Sequence, residues 1–118
     1  MTGLDITAED LIAGTAATFD VAVPREILQA GKAHRTADGA AGLTVRLQPL
    51  SIGVFQLIMK ASRQDPGMIP ILMIKESLVS PEMSVDQVKR LSIGLVSFLI
   101  GHIREISGLV EKKSLSGT

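Results

Sequence analysis

Apolar positions along this chain recur with two different periods, and the change from one to the other divides it. Between Thr18 and Val23, and again between Leu43 and Leu47, they alternate: Phe19, Val21 and Val23 on one side of the first stretch, Leu43, Val45 and Leu47 on one side of the second. Alternation marks half-buried strands, and Pro24 ends the first one's hydrogen-bonding run. Such a pair reads as an antiparallel hairpin across a long loop. Two strands alone are barely stable in water, so they need a helix to lie against or a further strand.

Beyond Pro49 the period becomes helical. Ser51 is placed to cap a helix to about Gln64, with Val54, Phe55, Leu57, Ile58 and Ala61 inward and Gln56, Lys60 and Arg63 in water. Asp65-Pro66 reads as a stop and a start, Asp as cap and Pro at the first helical position. The helix that follows, to about Val79, is apolar on every face through Met68, Ile69, Ile71, Leu72, Met73 and Ile74, which marks it as buried. Pro70 either kinks it or marks its true start. Ser84-Val-Asp-Gln87 has the form of a capping box for a short helix to Leu91.

Ser92 then caps a last helix, which Gly108 is placed to end in a left-handed turn. At 100° per residue, Ile106, Leu99, Ile103, Val96, Leu95, Ile100 and Ile93 share one apolar arc. Gly94, Ser97 and Gly101 lie opposite, with Phe98 among them. Each internal glycine costs roughly 1 kcal/mol relative to alanine, a cost repaid when another helix comes close. The stretch Leu91–Leu109 therefore reads as the central helix, packed on two sides.

The N-terminal part is less regular. Thr7-Ala-Glu-Asp10 starts a short helix to about Ala16, weakened by Gly14. Arg25 onward allows one helical turn or two before a small, polar, mobile loop over 31–42. The fold class expected is mainly α (α+β): a small bundle of four to five helices with an N-terminal two-stranded β-hairpin. It forms one domain over 1–108, the bundle occupying 51–108, followed by a flexible polar tail over 109–118.

Composition narrows the function more than the fold. Of 118 residues, 46% are hydrophobic, enough for one core. Twelve basic and twelve acidic side chains cancel, so no long-range field draws nucleic acid or an anionic membrane. Only Phe19, Phe55 and Phe98 are aromatic, which leaves no stacking platform for bases. The absence of cysteine excludes disulfides, thiolate metal sites and cysteine nucleophiles. MTGLDITAED lacks the pattern of a cleaved signal, and the longest apolar stretches fall far short of the roughly 20 residues that span a bilayer. A cytoplasmic protein without a membrane span is expected.

Candidate chemistry is sparse. His34 sits in the polar loop, and His102 has only Glu105 three residues on, a spacing typical of a surface helix contact; no metal site is expected. Ser51, Ser84 and Ser92 have capping roles, and no glycine-flanked nucleophile turn or phosphate loop occurs. No enzyme and no cofactor are expected. The apolar surplus points instead to interaction, because the helices at 51–64 and 66–79 are apolar over more than half their girth. Area left outside the core would mark a partner surface. The methionines at 59, 68, 73 and 83 serve as core filler or line an adaptable groove.

From Leu43 onward, LTVRLQPLSIG, DPGMIPILMIKESLVSP and MSVDQVKRLSIGLVSFLIGHIREISGL follow one another in an order that resembles the tail assembly chaperones of tailed bacteriophages and prophages. The shared order is a strand ending in the Arg46–Leu50 phrase, a helix, an apolar helix started by Asp-Pro, a break containing Pro, and a last helix closing in Ser-Gly. The resemblance implies a non-enzymatic protein of the host cytoplasm. Its partner would be an apolar helical client, the tape-measure protein, covered before the tail tube forms around it. It allows a homo-oligomer, and involves neither nucleic acid nor membrane. The alternative is a structural subunit of a phage tail, baseplate or contractile injection device. The family has no fixed binding motif to carry over. The residues nominated for partner binding are therefore chosen from the helix faces: Phe98 with Gly94 and Gly101, and Met68, Ile69 and Met73.

Overall fold

The computed structural model describes residues 5–28 and 43–109. The expected loop over 31–42, with His34, and the tail from 110 onward lie outside the described residues. Helix α1 (Ala8–Ile12) is closed by a capping box in which the Thr7 hydroxyl accepts from Asp10 N–H and the Asp10 carboxylate accepts from Thr7 N–H, and it runs into a 3-10 turn at Ala13–Ala16. Strand β1 (Phe19–Val23) leads to one helical turn, α2 (Arg25–Leu28). Strand β2 (Leu43–Leu47) precedes α3 (Ile52–Ala61) and α4 (Met68–Ser77). Strand β3 (Leu78–Ser80), the turn α5 (Val85–Val88) and α6 (Ile93–Ile106) complete the order.

The helix ends follow from the residues placed there. Ser51, Ser84 and Ser92 each accept the backbone N–H three residues on, offsetting orphan donors of the first turn. Gly108, at φ +75°, takes the left-handed position after α6, and Leu109 N–H reaches back to Arg104 O at 2.8 Å. At the other break, Asp65 caps a tight turn by accepting from Gly67 N–H, and the helix begins at Met68, later than the Asp-Pro signal indicates. Pro70 thus falls in the first turn, where its missing N–H costs nothing.

Among the described residues the architecture is α+β, with six helices and a three-stranded antiparallel sheet in the order β1-β2-β3. This corrects the expected helical bundle with a two-stranded hairpin. Strands β1 and β2 pair antiparallel, Val21 opposite Val45. The error lies at Leu78-Val79-Ser80, which prolongs an apolar helical run by composition yet forms the third strand. Two forces end the helix at Ser77. Pro81 disfavours helix at the residue before it, and the segment after β2 offers a better partner. Gln48 N–H donates to Ser77 O at 2.9 Å, and the Ser77 hydroxyl donates to Gln48 O at 2.6 Å. From that clasp β3 runs back along β2, with Leu47 opposite Leu78 and Arg46 opposite Ser80, and the register shifts between them.

The centre of the fold is also displaced from the helix expected to hold it. Helix α4 touches α3, α5, α6 and β3, and Glu76 is its one exposed residue. Helix α6 lies on α4 through Leu99 and Ile103, both buried, whereas Ile93, at the start of its expected apolar arc, is exposed. The core joins Val21, Leu47 and Leu78 from the sheet to Ile58, Met73, Ile74, Val88, Leu99 and Ile103 from the helices. A hydrogen bond from Leu50 N–H to the Ser107 hydroxyl at 2.9 Å fastens the end of α6 to the connection between β2 and α3.

Two serines separate a satisfied buried hydroxyl from an unsatisfied one. Ser77→Ala removes the donor to Gln48 O in a fully buried setting and should cost about 1–3 kcal/mol in urea unfolding. Ser62 Oγ is buried without a hydrogen-bond partner. Ser62→Ala should therefore be neutral or stabilising by up to about 1 kcal/mol in the same measurement.

Candidate interaction surface

The six nominated residues do not form one exposed patch. Met73 is buried in the core, and Met68 and Ile69 are half-buried, Ile69 packed against it. Phe98 is half-buried at the core margin, its ring 4.7 Å from that of His102 and tilted by 58°. Gly94 and Gly101 are exposed, and a Cβ built on either meets nothing within 4 Å. Together with Ser97, Arg104 and Glu105 they make the wet face of α6. No described helix uses the close approach that the glycines permit.

An exposed apolar surface lies on α3. Its spacing placed Leu57 inward, but Leu57 is 64% exposed, as are Ile52 at 73% and Met59 at 41%. Ile58 is the one buried residue of the ten, because α3 leans on α4 along a single line. Seven of its residues, IGVFQLIMKA less Gly53, Gln56 and Lys60, are apolar, so one line of contact cannot cover them. That imbalance is the sequence signal for this surface. Its location on α3, however, depended on α4 being shared among four neighbours.

Two hollows flank α3. On the α4 side a cleft of about 200 Å³ is lined by Val54, Leu57, Ile58, Ala61 and Leu72, with Glu76 at its rim. The outer face, with Ile52, Phe55, Met59 and again Leu57, carries Gln56, Lys60 and Arg63 and no carboxylate. A third hollow, between β3 and the end of α4, is lined by Gln48, Lys75, Glu76, Val79, Glu82 and Met83 and mixes charges of both signs. Among the described residues no three His, Asp or Glu side chains gather where they could hold a metal ion. No described helix is long and apolar enough to cross a membrane.

The sheet's outward face carries an ion pair. Arg46 Nε donates to Asp20 Oδ1 at 2.9 Å across β1 and β2, where the two residues are directly opposite. Arg46 holds the Asp20 carboxyl below the usual carboxylate range, through its hydrogen bond and then its charge, and Arg46 is raised in turn. Comparison of the chain with protein-family models, curated proteins and solved structures finds no match.

These placements set two measurable outcomes. Gly94→Ala and Gly101→Ala should each raise stability by about 0.5–1 kcal/mol, because the added methyl meets open space and the helix gains propensity. A loss in thermal unfolding would mean that a neighbour occupies that face. Folding lowers the Asp20 pKa, so its stabilising effect holds above the ordinary Asp range and fades as pH falls through the lowered value. Asp20→Asn should flatten the acid limb of a stability–pH curve and leave its shape above pH 6 unchanged.

Proposed function

We propose that this chain is a non-enzymatic assembly chaperone that shields an apolar helical client, a tape-measure protein, during assembly of a phage or phage-like tail. One observation carries the reading. Helix α3 exposes Ile52, Leu57 and Met59 beside a cleft lined by Val54, Ala61 and Leu72, on a body that closes its core without them. A protein that exposes large apolar side chains on one helix has surface to lend. An amphipathic client helix laid along the α3–α4 cleft would bury Leu57 and Leu72 while its polar side stays in water. The resemblance of residues 43–109 to tail assembly chaperones supplies the identity of the client. Several copies along one long client would add avidity.

Leu57→Glu tests the reading at little risk to the fold, since Leu57 is mostly in water. Co-expression of the unaltered chain should keep a tape-measure protein in the soluble fraction, and L57E should lose that protection by about tenfold or more, as expected for placing a charge in an apolar contact. If the client precipitates equally with and without the chain, the proposal falls. Mass spectrometry of finished particles decides against a structural subunit: a chaperone is absent from them.

A further inference from the structure

The N-terminal segment, like α3, exposes large apolar side chains. Every side chain from Asp5 to Gly14 is exposed, although α1 is closed by a complete capping box. Helix α1 has five residues, and a helix that short does not persist in water by propensity alone. Its faces are sorted. Ala8, Leu11 and Ile12 share one arc, Glu9 and Asp10 the other, and Ile6 precedes the cap at the position of a hydrophobic staple with Leu11. Ile6, Leu11 and Ile12 are 63%, 74% and 64% exposed. From Asp5 to Ala16 the segment holds three acids and no base.

The outer face of α3 is its complement. Ile52, Phe55 and Met59 form an apolar surface flanked by Lys60 and Arg63, and residues 52–63 contain no acid. The segment and that face match in both hydrophobicity and charge, yet within one chain the segment is not laid on it. We propose that residues Asp5–Ala16 of one chain dock on the outer face of α3 of a second copy, in a reciprocal exchange of arms. Leu11 and Ile12 cover Ile52 and Met59, and Glu9 faces Lys60 and Arg63. The two contacts are identical by two-fold symmetry, as a closed homodimer requires. They use the outer face of α3, which shares Leu57 with the cleft on the α4 side and leaves Val54, Ala61 and Leu72 open. The inference does not rest on the client reading, because its test uses this protein alone.

The absence of cysteine provides a clean probe. Ile12→Cys and Met59→Cys, made in separate preparations and mixed under mild oxidation, should cross-link as a heterodimer. Sedimentation of the unaltered chain should show a concentration-dependent monomer–dimer equilibrium. Leu11→Asp should weaken the dimer about tenfold or more. Glu9→Lys and Lys60→Glu should each weaken it about three- to tenfold at low salt, and the two together should restore it. Circular dichroism checks that each variant keeps its helices. A chain that stays monomeric at high concentration overturns the proposal. So does a dimer indifferent to Leu11→Asp, which would place the interface elsewhere, as on the outer edge of β1.

Discussion

Helix α4 is apolar on every side from Met68 to Ile74, and the rest of the described structure is arranged around that fact. Burial of apolar surface scales with area and has no direction, so α4 can be satisfied only by neighbours on all sides: α3, α5 and α6, with the sheet joined to it at its end. Those neighbours then compete for a limited surface. Helix α6 takes the larger share with Leu99 and Ile103, and α3 is left with a narrow line through Ile58. The exposed flanks of α3 are thus a consequence of packing, as much as of composition.

The passage from α4 to β3 shows how a polar contact steers this arrangement. Ser77 is fully buried, and its two bonds with Gln48 satisfy its hydroxyl and its carbonyl together. An unpaired polar group there would cost about 1–3 kcal/mol, comparable to the penalty for a poorly chosen core side chain. The clasp stops the helix, aligns the first pair of β3 with β2, and sets Leu78 beside Leu47 in the core. Apolar burial holds the layers together, and the serine decides where one element ends and the next begins.

What the residues disclosed by themselves follows the range of the interactions concerned. Caps at Thr7, Ser51, Ser84 and Ser92 and the turn at Gly108 depend on groups within a few positions, and local patterns specify them. The alternation at Phe19–Val23 and Leu43–Leu47 likewise names strands before any partner is known. Leu78-Val79-Ser80 is different, since its state depends on Gln48, thirty or more positions away, and helical periodicity cannot register that. The surface was legible in kind and not in place. An apolar surplus in the two middle helices was visible, but whether it would emerge at Met68, Ile69 and Met73 or at Ile52, Leu57 and Met59 turned on which helix became the shared centre. The glycines of α6 meet no described helix, for a related reason: small residues permit close approach without requiring it.

The bond between Leu50 and Ser107 joins groups 57 positions apart, and it bears on the time course of synthesis. Contacts distant in sequence form late, because loop-closure entropy is paid before they reward it. While a ribosome is still extending α6, β2 and α3 have already emerged without Leu99, Ile103 or Ser107 to close over α4. The nascent chain therefore passes through an interval in which α4 and α3 are both uncovered, a stickier object than the finished fold. The polar stretch Glu82–Arg90, with four charged side chains in nine residues, emerges between them and the closing helix, and keeps that interval hydrated.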